Sequence, residues 1–154
     1  MRNLAFTFCV PAFFRPLLAA ELDTMGQLCL CNTKTSCFFS GDGGYGAHFK
    51  EIGRNFGGFD LAIMENGQYD AHWHRIHLLP KETAQATEDV GAKLVIPAHS
   101  GKFALARHAW DAPYRVFVDA SRNKRYEIIT PEIGELAYIG TAGQNFGHWW
   151  ERMR

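Results

Sequence analysis

The chain has no excess of either charge, since 16 lysines and arginines balance 16 aspartates and glutamates. Without a basic stripe, nucleic acid is not an expected partner, and without an acidic block no disordered tail is expected. No apolar run approaches the roughly 20 residues that a membrane-spanning helix needs. Internal repeats and low-complexity segments are also missing. The 154 residues suffice for one domain with a real core and fall short of two ordinary ones.

Cysteine is confined to the first quarter of the chain, at Cys9, Cys29, Cys31 and Cys37, and residues 1 to 36 contain no histidine. "CLC" is a CxC rather than a CxxC, and no second pair follows to complete a zinc site. Cys29 and Cys31 alternate onto one face of a strand, where a disulfide between them would be strained. Reduced thiols in a cytoplasmic protein are therefore expected. The first twenty residues imitate a secretory signal, with Arg2, an apolar stretch and the small pair Ala19-Ala20. Pro11 interrupts that stretch and Arg15 follows closely, so a buried strand followed by irregular chain is the expectation instead.

From residue 37 onward the pattern is regular. "CFFS" reads as a short strand, and "YGAHFKEIGRNFGG" as a helix that spaces Phe49, Ile52 and Phe56 on one side and stops at Gly57-Gly58. "FDLAIMEN" reads as a buried strand. "PKETAQATEDVGA" has Pro80 at its start and Gly91 past its end, the usual asymmetry of a helix. "KLVIPAH" is a third strand, ending at Pro97. A helix broken near Pro113 follows, though "YRVFVDASRNK" suits either helical or extended chain. "YEIITPEIGE" closes the series. Alternating strands and helices imply an α/β fold, in which sites collect at the C-terminal ends of strands.

Asp42 and His99 both fall at such ends. The glycines around Asp42, "GDGGYG", lack both the GxGxxG spacing of a dinucleotide fold and the GK[ST] ending of a P-loop. A carboxylate there suits a metal ligand or a base. "AHWHRIH" offers three histidines, but no acid completes an HxHxDH zinc motif. His72 and His74 read as partly exposed loop residues, while His77 lies just ahead of the helix. His48, His108 and His148 read as structural or surface residues.

Together, "FFSGDGGYGAHFKEIGRNFGGFDLAIMENGQYD", "IHLLPKETAQA" and "IPAHSGKFALA" resemble the C-terminal half of a metallo-β-lactamase-fold hydrolase. The branch they resemble is that of N-acylphosphatidylethanolamine-hydrolysing phospholipase D, and the likeness runs on through "TPEIGE" to "FGHWWER". The resemblance implies half of an αββα sandwich, with a mixed sheet flanked by helices. It also implies two zinc ions bridged by an aspartate, activating water for attack on a phosphodiester or related ester. On that pattern Asp42 corresponds to the bridging aspartate and His99 to the last histidine ligand. His77 corresponds to a histidine beside the metals that contacts substrate or orients the groups around the metals, and is the catalytic candidate.

The family's HxHxDH motif has no counterpart here, nor does the histidine of a stretch like "PAQHFSGR", expected shortly after Pro11-Ala12. Back-translating the chain after Ala12 and reading one base later permits "QHFSGRSLRRNSTLWASFVF", close to that missing segment. One position is forced, because ATG for Met25 followed by the G of Gly26 becomes TGG, tryptophan. Residues 13 to about 36 therefore read as translated out of the ancestral frame. Residues 1–154 are expected to be a single partial domain, family-like from about residue 37. Its incomplete zinc site would leave it inactive alone, and one sheet face would lie bare. Self-association or a partner carrying the missing N-terminal half would cover that face. The competing expectation is a non-catalytic or half-domain protein that needs a partner carrying HxHxDH. A phospholipid or other phosphodiester is the substrate the resemblance implies.

Overall fold

The computed structural model describes residues 5–7, 27–31, 34–103, 105–141 and 143–153. Of the segment read as out of frame, only residues 27–31 and 34–36 fall within the description. The described strands are β1 (Ala5–Thr7), β2 (Leu28–Cys31), β3 (Ser36–Phe39), β4 (Phe59–Glu65), β5 (Ala92–Ala98) and β6 (Glu127–Ile128). They form one sheet in sequence order. β1, β2 and β3 pair antiparallel, and β3, β4, β5 and β6 pair parallel. The helices are α1 (His48–Phe56), α2 (Pro80–Asp89) and α3 (Ala112–Ser121), with a closing 3₁₀ turn at Trp149–Met153. This is the α/β arrangement that the alternating pattern implies, with the mixed sheet and helices that the resemblance implies.

Alternation along the strands divides the sheet into two unlike faces. Phe38, Ala62, Met64 and Val95 join Phe49 of α1, Ala84 and Ala86 of α2 and Phe117 of α3 in the main core. The opposite face carries Leu61, Leu94 and Ile129, with half-buried Cys37, Ile63 and Ile96. Ala137 and Phe146 of the C-terminal segment cover it in part, and Phe39 remains 42% exposed.

Two sequence expectations need correction. Pro113 does not break a helix but sits in the first turn of α3, where its missing N–H has no intrahelical partner to lose. Pro97 does not stop β5, because the strand runs to Ala98 with Pro97 opposite Met64. The first strand is present at Ala5–Thr7, although the burial of its side chains lies outside the described residues. α2 begins as its sequence suggests, with the Glu82 carboxylate accepting the Leu79 backbone N–H at 2.9 Å.

Asp60 ties three strands together at the N-terminal edge of the parallel part. Its carboxylate accepts the Ser36 N–H at 2.9 Å and a Lys93 ammonium hydrogen at 2.8 Å. The Lys93 bond first, then the Ser36 N–H, holds its carboxyl below the ordinary carboxylate range. A folded value below the unfolded one gives stabilisation that is complete above about pH 4 and is lost as pH falls through the folded value. Asp60→Asn is expected to cost on the order of 1 kcal/mol at neutral pH. The difference from the parent should shrink in acid, which urea titrations at neutral and acidic pH will measure. A gap that stays constant over that range would refute the assignment.

Candidate metal centre

The C-terminal ends of β3, β4 and β5 meet at one edge of the sheet, and each delivers a chemically active side chain. Ser40, just past β3, is held by its N–H to the Ile63 carbonyl at 3.0 Å, and its hydroxyl accepts the Glu65 N–H at 2.8 Å. Two residues on, Asp42 stands at the edge with its side chain 32% exposed. Glu65 ends β4 and is 2% exposed, with Oε2 accepting the Gly43 N–H at 3.0 Å. His99 follows β5 with φ at 61°, a left-handed conformation that a non-glycine residue adopts only under constraint.

His77 arrives from the 70–77 loop. Trp73 anchors that loop by donating its indole N–H to the Gln68 carbonyl at 2.7 Å, and the His77 N–H reaches the Trp73 carbonyl at 3.2 Å. The glycine cluster explains itself here. Gly44 donates to the Arg75 carbonyl at 3.0 Å, and a Cβ on Gly44 would lie 2.4 Å from that oxygen. Gly44 thus lets the loop carrying His77 lie directly on the backbone beside Asp42.

Asp42, Glu65, His77 and His99 each offer a ligand atom, and these atoms all lie within 4.8 Å of one another. His99 Nδ1 is 3.8 Å from Asp42 Oδ1. His77 Nδ1 is in close hydrogen-bond contact with Glu65 Oε1. The two imidazoles lie nearly parallel, 5.3 Å between centroids and 18° between planes. Burial pushes the Glu65 carboxyl up to about 8, against the Gly43 N–H and helped by the Asp42 charge. Burial also lowers His77, against the pull of Asp42. Burial thus works against a charged Glu65–His77 pair from both sides.

The donor set fits a divalent cation. Two imidazoles and two carboxylates on one point are oxygen and nitrogen ligands of the kind such ions take. A buried carboxylate beside a second one is costly unless a positive charge stands close to both. Residues Asp42, His77 and His99, picked out in the sequence, are all brought together. Glu65 was not picked out, although its place at the end of a buried strand is the same signal that marked Asp42. His72 and His74 lie outside the cluster. Both are exposed, His72 on the Asp70 carboxylate at 2.6 Å and His74 on the Ala71 carbonyl at 3.0 Å.

Gly67 couples the site to the fold. A Cβ there would stand 2.1 Å from the His99 carbonyl oxygen and 2.9 Å from Ser100 Cβ. Gly67→Ala should cost about 1–3 kcal/mol, the usual range for forced overpacking, and should displace His99. A urea midpoint equal to that of the parent would contradict this packing.

The sequence model of the beta-lactamase superfamily domain matches residues 14–100, more than half of the chain and a span that holds all four clustered residues. The chain belongs to the beta-lactamase superfamily. The matched span begins inside the segment read as out of frame. Outer membrane protein RomA of Klebsiella pneumoniae is 60% identical over 65 residues, covering 42% of this chain and 49% of that protein. An uncharacterized Mycobacterium bovis protein is 30% identical over 147 residues, covering 92% of this chain and 39% of its own length. The chain thus spans about half or less of the length of these relatives.

Among solved structures, the metallo-beta-lactamase fold protein YhfI from Bacillus subtilis superposes with TM-score 0.54 at 14% identity, covering 84% of this chain and 46% of that one. Isothiocyanate hydrolase from Delia radicum gut bacteria gives TM-score 0.58 at 10% identity, with 75% and 44% covered. These likenesses show the metallo-β-lactamase fold. Among the described residues no helix is long and apolar enough to cross a membrane.

Proposed function

We propose that this superfamily member derives from zinc-dependent hydrolases of phosphodiester or related ester bonds, of the phospholipase D-like branch, and keeps part of their metal centre while being inactive alone. The observation that carries the reading is the convergence of Asp42, Glu65, His77 and His99 within 4.8 Å at the strand ends. Asp42 and His99 act as the metal ligands, both open enough to solvent to be reached. Glu65 takes up Nδ1 of His77, so that the ring's Nε2 is left for substrate or cation. A zinc ion in such a site supplies an acidified water and a positive charge for developing oxyanions.

Two ions need more ligands than these four residues offer, because catalytic zinc usually takes three protein ligands each in addition to water. The purified chain is expected to hold at most one equivalent of zinc, weakly, and to show no hydrolysis by itself. Metal analysis after zinc equilibration, together with assays on bis(p-nitrophenyl) phosphate, tests this. Two tightly held zinc ions with turnover would overturn the incomplete centre, and zinc uptake indifferent to Asp42 would overturn the site. The frame shift over residues 13 to about 36 remains part of the proposal, and the nucleotide sequence around codon 13 decides it.

A further inference from the structure

The turn that follows His99 is gripped by side chains far from it in sequence. Gly101 has φ 88°, and a Cβ there would stand 2.7 Å from the Tyr114 hydroxyl oxygen and 3.3 Å from the Trp149 ring. The Tyr114 hydroxyl donates to the Ser100 carbonyl at 3.3 Å. We propose that Tyr114 and Trp149 are positioning residues of the metal centre, holding the Ser100-Gly101 turn and through it the backbone that aims His99. The proposal rests on the reading of His99 as a metal ligand.

Tyr114 can hold the turn because it is itself held. It is buried, with Trp150 stacked on its ring at 4.7 Å and Trp149 edge-on at 5.2 Å. Trp149 also stacks on Trp110 at 6.3 Å. Aromatic pairs of this kind add to the burial of their area, and here they fasten the closing 3₁₀ turn to the start of α3. Asn66, fully buried just past β4, ties that start to the strand ends. Its N–H donates to the Ala98 carbonyl at 3.0 Å. Its side-chain amide donates at 3.0 Å to the carbonyl of Pro113, one residue before Tyr114. Residues 98–101 thus lie in a frame made by β4, α3 and the C-terminal turn.

His99 needs such a frame. Metal-binding histidines are usually aimed by a hydrogen bond to the second ring nitrogen. Among the described residues the His99 ring makes no hydrogen bond, and Asp42 Oδ1 lies 3.8 Å from its Nδ1. Its aim is therefore set by its backbone, which is left-handed and persists only where neighbours over-determine it. Gly67 packs on the His99 carbonyl, and Tyr114 and Trp149 close on the next two residues. The C-terminal segment thus acts on the metal centre without touching a ligand atom.

Zinc affinity, measured against a competing chelator, tests the assignment, with the urea midpoint read on the same samples. Tyr114→Phe keeps the stacked ring and removes only the hydroxyl, while Trp149→Ala removes the ring over Gly101. Each should weaken zinc binding about tenfold, the lower end of the range for losing a residue that orients a ligand. Each should also alter the visible spectrum of bound cobalt(II), which reports ligand geometry. Phe117→Leu is the control, a fully buried residue of the same helix that packs on Tyr126. It should lower the urea midpoint and leave the zinc affinity of the folded chain unchanged. Parental zinc affinity in either variant would remove that residue from the assignment, and a loss in Phe117→Leu as large as theirs would overturn it entirely. Zinc uptake indifferent to Asp42 sinks the metal centre itself. Dependence on Asp42 and His99 with indifference to Tyr114 and Trp149 leaves the centre standing and refutes the clamp.

Discussion

Asp42→Asn is expected to weaken zinc binding by more than about 100-fold, beyond the 10–100-fold usual for losing a residue that only orients a ligand. Asparagine keeps the shape of the side chain and one oxygen but removes the charge. Burial pushes the Glu65 carboxyl up to about 8, whereas the Asp42 side chain is 32% exposed and stands at the open edge where a cation would arrive. Its partner His99 stands 3.8 Å away, with Nδ1 facing the Asp42 carboxyl group. Competition against a chromogenic chelator measures the effect directly. His99→Ala should behave alike, and zinc affinity retained by both variants would show that the ion sits elsewhere. The fold should survive either change, because both side chains lie at the open edge rather than in the core.

Phe38→Ala carries the largest expected loss of stability, about 3–5 kcal/mol by the usual cost of truncating a buried phenylalanine. Phe38 is fully buried. It meets Phe49 edge-on at 6.3 Å and Phe59 at 5.3 Å, joining β3 to α1 and to the start of β4. Whole domains are stable by only about 5–15 kcal/mol, so the variant should lose much of its cooperativity or fail to fold. Phe38→Leu, which keeps most of the volume, should retain a measurable urea transition. A loss under about 1 kcal/mol for the alanine variant, below the range for such truncations, would mean that Phe38 is not a core residue. Because β3 leads directly to Asp42, zinc uptake by Phe38→Leu also reports how firmly the strand end is held.

The parallel part of the fold was legible because its local signals agree. α1 and α2 carry their stop and start residues at Gly57 and Pro80, and β4 and β5 are apolar runs of the length a buried strand needs. Asp42 and His99 followed from strand-end logic alone, while His77 needed the family resemblance, since its loop has no periodic pattern. Glu65 has the strand-end place that marked Asp42, but its burial, like that of Gln68, was illegible for a physical reason. Glutamate and glutamine are ordinarily solvated, and their burial here is set by partners distant in sequence, His77 and Gly43 for one, Phe103, Leu105 and Ala106 for the other. The Pro113 misreading has a similar source. Proline signals both helix starts and helix breaks, and its place in α3 is fixed by Asn66, whose amide donates to the Pro113 carbonyl at 3.0 Å.

The sheet order, in which every described strand lies beside its neighbours in sequence, bears on how the chain comes together. None of the described strands has to be threaded between two that are already paired. Each parallel strand can be added at a growing edge once its crossover helix has formed, in the direction of synthesis. The partnerships that must be found are those between consecutive elements, which keeps loop-closure costs low for a sheet of this kind. The candidate ligands emerge in the same order, so His99 arrives only after the strands that present Asp42 and Glu65 have had the opportunity to pair.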